Sequence, residues 1–476
     1  MVTRVKTGVE ELDNVIEGGF PKGSLIILFG ELGTGKTVFS AQFLLEGAQS
    51  EERGLYASFA ESRETLIKNL SRHLGVDFEK LEAEGKIKIL DLTVMKGDGV
   101  TTVLESILDE VKALKAERLV IDSFSAILQA FKDPTEVRIF IQTVLGRIIR
   151  GMGCTTIMVE EKPMGKVEMG WGIEEFVADG ALKLSVNELD KRFLRTLEIL
   201  KLRGTKIFEH KLVFTLEKGF KAFLPFIPKP IEKPNRFKPI PSKLGFYSTG
   251  VKDLDEVLGG GIPQGSSILL KVSEKIPILG YHLIMVPLTV NFLVQGMGNF
   301  MIPSSGVNYD LVKSRVLNYG LSIKEFEELA VIIEPKIVDI GLKAPNLLFI
   351  EGEDLKKDLT KTIEIVKEVE KRVGKPSMGI IGADTLVTLY GERGCEKILN
   401  IVTTLIRESK SMLLILAKGI SKELISRISH ITDIYLCLIR EHGCLLFYGV
   451  KPRTGFYAVE MDMSKDYPLP KLTPIV

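Results

Sequence analysis

Along the first 225 residues, short apolar runs alternate with stretches in which apolar positions recur every three or four residues. The runs Ser24–Phe29 (SLIILF), Arg53–Phe59, Lys86–Leu90, Arg118–Asp122 and Cys154–Val159 are short and largely apolar. They predict strands buried on both sides. The helical period covers 36–49, 64–74, 100–115 and 134–150. Strand–helix alternation of this kind predicts an α/β fold, a mostly parallel twisted sheet flanked by helices. Two later runs, Ala181–Val186 and Arg192–Arg203, predict a meander or hairpin at the sheet edge. Ser377–Asp384, Ser411–Ala417 and Asp433–Ile439 repeat the scheme further on.

The repetition extends to individual residues. Thr7–Leu28 aligns with Thr249–Leu270 without a gap, at an offset of 242. Thr7, Gly8, Val9, Leu12, Asp13, Gly18, Gly19, Pro21, Gly23 and Ser24 each recur in the second segment. Between the copies, Pro225–Pro241 holds six prolines in 17 residues, a composition that resists helix and central strand alike. Two tandem domains follow, 1–226 and 242–476, joined by a linker over 227–241. The linker's Lys229, Lys233, Arg236 and Lys238 read as solvated charges.

The first copy continues into Gly30-x4-Gly35-Lys36-Thr37, with a strand entering and a helix leaving. This is the full phosphate-loop (Walker A) pattern. Gly30, Gly33 and Gly35 let backbone N–H groups turn inward around phosphate oxygens, at the positive end of the helix dipole. Lys36 is placed for the β- and γ-phosphates and the Thr37 hydroxyl for Mg²⁺. The strand Arg118–Asp122 ends in a carboxylate, Asp122, suited to the magnesium shell. ATP and Mg are the expected cofactors.

With those residues in place, the segments TGVEELD, GGFPKGSLIILFGELGTGKT, IDSFSAIL, IEEFVADGALKL and TLEILKLRGT resemble the KaiC family, within the RecA/RadA-type ATPases. The resemblance implies two tandem RecA-like domains and a homohexameric ring with ATP between neighbouring subunits. It implies nucleotide contacts from Gly30, Gly33, Thr34, Gly35, Lys36, Thr37 and Val38, and metal contacts from Thr37 and Asp122. Lys201, Leu202, Arg203 and Thr205 correspond to the family's segment that reaches a neighbour's phosphates. A strand carrying Lys and Arg two apart points both to one face, which suits an arginine finger acting in trans.

Carrying the offset forward puts Val272, Pro277, Ile278 and Leu279 where Gly30, Gly35, Lys36 and Thr37 stand. The second copy is therefore expected to be a pseudo-ATPase. It still has Asp384 and Thr385 at the positions of Asp122 and Ser123, and Lys451 and Arg453 at those of Lys201 and Arg203. In the first copy the family's pair of adjacent glutamates is reduced to Ala60 and Glu61. Glu61 is the expected base, with Glu160 and Glu161 as possible helpers, and hydrolysis is expected to be slow. The family's clock members carry adjacent Ser and Thr before a T-D pair. Here the segment reads ISHITD, with Ser429 kept and His430 in the threonine's place, so no autokinase is expected.

Composition narrows the classes. The chain has 476 residues, 45% hydrophobic and 26% charged, with a formal net charge of +1. Such a balance gives no long-range field for nucleic acid or an anionic membrane. The four cysteines, Cys154, Cys395, Cys437 and Cys444, form no C-x-x-C pair and read as buried thiols. No signal-peptide pattern opens the chain, and the apolar run Leu283–Val294 is too short for a span, so a cytoplasmic protein is expected. Two other readings compete with a slow ATPase that acts on an unknown protein partner. One is a RadA-type recombination or repair ATPase, for which the segment before the repeat leaves no room for a DNA-binding module. Its nucleic-acid contacts would fall on the linker and on 162–172, which contains Trp171. The other is a non-hydrolysing, ATP-sensing scaffold.

Overall fold

The structure, a computed structural model, describes residues 3–93, 100–125, 151–161, 178–336 and 344–476. The helix expected over 134–150 and the loop 162–172 lie outside the described residues. The chain divides into two compact units, Met1–Leu224 with Pro474–Val476, and Pro225–Thr473.

In the first unit, nine strands make one sheet: β1 (Leu25–Gly30), β2 (Gly54–Ser58), β3 (Ile87–Asp91), β4 (Arg118–Asp122), β5 (Thr155–Glu161), β6 (Gly180–Leu189), β7 (Arg192–Leu202), β8 (Lys211–Thr215) and β9 (Lys221–Phe223). Their order is β9-β8-β7-β6-β1-β5-β4-β2-β3. Strands β1 to β5 pair in parallel, and β1 also pairs in parallel with β6. The pairs β6–β7, β7–β8 and β8–β9 are antiparallel, so the edge meander is present. Every residue of β1 is buried, because alternate side chains enter two different cores. Ile26 and Leu28 pack with Val38, Phe39 and Phe43 of helix α2 (Lys36–Gln49), which follows the short helix α1 (Glu10–Val15). Leu25, Ile27 and Phe29 pack on the other face with Ile107 and Val111 of a later helix (Val100–Leu114).

The second unit has ten strands: β10 (Ser267–Val272), β11 (Asn299–Ile302), β12 (Ala330–Pro335), β13 (Leu347–Ile350), β14 (Met378–Gly382), β15 (Met412–Ala417), β16 (Ile434–Glu441), β17 (Cys444–Lys451), β18 (Tyr457–Asp462) and β19 (Leu469–Pro474). Their order is β13-β12-β11-β14-β15-β10-β16-β17-β18-β19. Strand β10 lies between parallel partners, as β1 does. The proline-rich segment, expected to be solvated, belongs to this unit. Phe237 is buried against Tyr319 and Tyr467, Asn235 bonds Asp466, and Arg236 pairs with Glu325. One aromatic anchor and two polar ties hold the segment down. Prolines lower the entropy lost in fixing it.

The recurring residues of the two copies have a local reason. Asp13 accepts from the Thr7 N–H at 2.9 Å, and Asp255 accepts from the Thr249 N–H at 2.7 Å. Gly19 has φ +128, and a Cβ there would lie 2.2 Å from the Val5 carbonyl oxygen. Its counterpart Gly261 has φ +123 and the Tyr247 carbonyl in the same place, at 2.5 Å. Only glycine fits such a close approach at positive φ. The cysteines are buried and free, and burial raises the Cys154 and Cys395 thiols to about 12. Among the described residues, no helix is long and apolar enough to cross a membrane.

Candidate nucleotide site

Strand β1 delivers the chain to Gly30 at the C-terminal edge of the sheet, and six residues later α2 begins. Gly33 and Gly35 take φ of +74 and +100, so the loop turns through conformations that side chains resist. At Gly30 the reason is space, since a Cβ would meet Thr34 Oγ1 at 2.5 Å. Thr34 is itself buried, its hydroxyl donating to the Glu31 carbonyl at 2.9 Å.

Lys36 is 6% exposed and its Nζ donates to the carbonyls of Gly30 and Glu31, at 2.9 and 2.8 Å. The ammonium thus lies inside the curl of its own loop. Burial lowers its pKa, opposed by Glu161, Asp122 and Glu31. Thr37 Oγ1 donates to Asp122 Oδ2 at 3.0 Å, so the expected magnesium pair is brought together. Tyr56 also donates to Asp122 Oδ2, at 2.5 Å. Burial raises the Asp122 pKa, against the pull of Tyr56, Thr37 and Lys36. Burial and the adjacent Asp122 hold the Tyr56 phenol far above its usual value. This donor set fits a hydrated divalent cation, and the inward cation with the glycine turn fits a polyphosphate. Val38 has its side chain in the core, which leaves its backbone as the part facing the helix start.

Glu61 lies just past β2, with Oε2 accepting from Asn69 at 3.0 Å, while the neighbouring Ala60 is exposed. Glu160 is buried at the end of β5 opposite Phe29, and the Glu161 N–H donates to Ser125 Oγ.

Lys201, Leu202 and Arg203 are elsewhere. Gly30 pairs with Leu184, whereas Lys201 pairs with Ala181 and Leu202 with Gly180. Three or more rows at about 3.3 Å put them roughly 10 Å or more along the sheet, toward its opposite edge. They do not meet the loop of their own chain. Lys201 Nζ donates to the Ala178 carbonyl at 2.8 Å, Leu202 is buried in the core, and Thr205 accepts from Arg4 at 2.5 Å. Arg203 is exposed. The β6–β7 register shifts between Ala181 and Leu182, which leaves Leu200 as an extra residue, 41% exposed. This bulge re-aims the two cations that follow it.

Sequence reasoning missed Tyr56 and Arg195. Tyr56 sits in an apolar strand and carries no signal beyond its hydroxyl. Arg195 on β7 donates to the Gly33 carbonyl at 3.0 Å and to the Val476 carbonyl oxygen at 2.5 Å, both within this unit. Its place in an alternating meander strand gave no hint of that reach.

The equivalent loop of the second unit runs from Val272 to helix α6 (Ile278–Val294) and is capped by Pro277 at φ −67. Ile276 is 1% exposed, with its Cγ2 2.8 Å from where a Gly280 Cβ would stand. An aliphatic side chain thus covers the helix start. Asp384 accepts from Ser304 Oγ and the Ser305 N–H, at 2.7 and 2.8 Å. Lys451 Nζ donates to the Thr432 carbonyl at 2.7 Å, as Lys201 does to Ala178. The Ser429 hydroxyl donates to the Ser426 carbonyl.

Residues 5–221 match the family model described as "ATPase: KaiC". The chain is 36% identical over 280 residues to the circadian clock oscillator protein KaiC of Prochlorococcus marinus, covering 56% of this chain and 53% of that protein. The KaiC of Synechococcus elongatus is 33% identical over 279 residues, 56% of this chain and 52% of it. The chain spans about half the length of these relatives. A solved KaiC-like protein from Pyrococcus horikoshii is 38% identical, with a TM-score of 0.43, over 47% of this chain and 100% of that one. A glycine loop around a buried lysine and a threonine on an aspartate agree with the family match: residues 5–221 form a domain of the KaiC ATPase type, similar to the KaiC proteins above.

Proposed function

We propose that the first unit binds one Mg·ATP per chain and hydrolyses it slowly, within a homohexameric ring whose subunit interfaces hold the nucleotide. The observation that carries this reading is the Lys36 ammonium, buried and, among the described residues, bonded only to the loop carbonyls of Gly30 and Glu31. A buried cation without a carboxylate in bonding distance is costly, and a phosphate in the curl of the loop relieves it. The backbone N–H groups of 33–38 and Lys36 hold the phosphates, while Thr37 and Asp122 hold the metal. Magnesium, when bound, neutralises charge on the β- and γ-phosphates. Glu61 orients the attacking water once released from Asn69.

Arg203 serves a neighbour's site. The exposed guanidinium lies at the far edge of the sheet from its own loop, a position that suits action in trans. The second unit binds no Mg·triphosphate, because Pro277, Ile278 and Leu279 supply neither the turn, the cation nor the hydroxyl. The ring's output is a change in affinity for a protein partner. A non-hydrolysing ATP sensor is the second reading, favoured by Ala60 and by the bond that occupies Glu61.

Calorimetry on the full chain tests the proposal. One ATP per chain is expected, lost in Lys36→Ala and unchanged in Ile278→Ala. Two sites per chain would refute the reading. A turnover of zero with binding intact would leave the sensor.

A further inference from the structure

The second unit contains a cleft beside the first half of α6. It lies between that helix, helix α7 (Tyr309–Leu317) and the proline-rich segment, and encloses about 390 Å³. Its walls are mostly apolar, with Phe226, Leu283, Val286 and Met461 among them. A narrower cavity next to it shares His282, Val286 and Arg315. This volume is in the range of small-molecule sites.

The polar groups in the cleft are unusual in two ways. Two cations line it, Lys229 and Arg315, and no carboxylate does among the described residues. Arg315 Nε is buried without a hydrogen-bond partner. Burial lowers the guanidinium's pKa, and the one group opposing that is the phenol of Tyr319 rather than an acid. His282 is 7% exposed and its Nδ1 has no partner either. Burial, Arg315 and Lys418 push the imidazole down to about 3, so it is neutral at ordinary pH. The Tyr281 hydroxyl, which lines the narrower cavity, is a third unpartnered polar atom. Buried polar atoms are nearly always bonded, so three on adjoining walls point to a ligand.

We propose that this cleft binds a small amphipathic monocarboxylate. Its carboxylate meets the Nε edge of Arg315 and the imidazole of His282, and its apolar body lies along Leu283, Val286 and Met461. A guanidinium edge offers parallel donors to a carboxylate, which a lysine does not. The absence of acids from the lining, among the described residues, disfavours a cationic ligand. The lack of a glycine turn or second inward cation disfavours a polyphosphate. The Lys229 ammonium at the proline-rich wall adds attraction without a specific bond.

Calorimetry of the full chain with decanoate, below its micellar concentration, tests this. One saturable site per chain is expected, unchanged by saturating Mg·ATP. 1-Decanol and inorganic phosphate should each bind at least tenfold more weakly. Arg315→Gln should weaken decanoate at least tenfold, and Arg315→Lys should lose less. If Arg315→Gln melts out, Met461→Trp, which narrows the cleft, should block decanoate instead. The proposal fails if decanoate does not saturate, if 1-decanol or phosphate matches it, or if ATP competes. It also fails if folded Arg315→Gln, or folded Met461→Trp in its place, binds normally.

Discussion

The two units keep one scaffold, the second with an additional edge strand, and part company at the end of one central strand. In both, a threonine N–H bonds an aspartate six residues on, and a glycine at high φ lies against a short strand. In both, a lysine near the end of a meander strand donates to a backbone carbonyl just before the strand beside it. At the loop the likeness ends. The first unit turns through Gly33 and Gly35 around a buried ammonium, and the second covers its helix start with Ile276. Thr7, Asp13 and Gly19 recur and hold the fold, whereas Gly33, Gly35 and Lys36 have no counterpart in the second copy. Lys201 is instructive, since its bond to Ala178 is repeated where the loop is lost. That bond is structural, whatever else the lysine does.

Three experiments press on this contrast. The largest effect is expected at the cations after the bulge. Arg203→Ala should lower turnover by up to ~10³-fold while sparing ATP affinity, whereas Arg453→Ala should leave turnover unchanged. Equal losses in both variants, by steady-state phosphate release, would mean that the second unit has a working site.

Next comes the shared scaffold. Burial raises the Asp13 pKa from 3.8 to about 6, against its bonds to Thr7. The folded state therefore holds this proton more tightly than the unfolded chain. The stability it contributes is present below about pH 4 and is lost as pH rises through 6, by at most about 3 kcal/mol. Asp13→Asn keeps an acceptor for the Thr7 N–H and should flatten the first unit's denaturation profile between pH 4 and 6. A slope equal to wild type would show that the aspartate recurs for some reason other than this buried bond.

The smallest effect concerns Ala60. Ala60→Glu should raise turnover about tenfold and Glu61→Gln should reduce it, both read under saturating ATP. If neither changes the rate, the carboxylates after β2 do not limit the reaction.

The parallel sheet was readable because its strands are buried on both faces, leaving continuous apolar runs such as Leu25–Phe29. The glycine loop was readable because spacing and residue type are both demanding there. Arg118 shows where such reading stops. It opens an apolar strand, yet its guanidinium is 2% exposed, 4.6 Å from the Phe43 ring centre, and donates to the Lys6 and Phe43 carbonyls. Nothing local separates it from an exposed arginine, since its partners lie 75 and 112 residues away. Arg195 and the seating of Phe237 were hidden for the same reason. The wall of the second unit's cleft was read as a solvated linker because prolines say how a segment bends, not what it rests on.

The extra residue at Leu200 has a counterpart. In the second unit the register shifts between Tyr435 and Leu436, which leaves Val450 as the additional residue, 40% exposed. Side chains on a strand alternate, so one inserted residue works as a change of reading frame. Before the insertion, strand β7 sends Leu197 and Ile199 to the core. After it, Lys201 and Arg203 take a phase that unbroken alternation would have given to their neighbours. Were Leu200 held in regular alternation instead of bulging, both cations would turn to the opposite face, with every side chain of the segment still present. Which way this edge of the molecule presents its charge is thus set by how the strand is paired as much as by the kind of its residues.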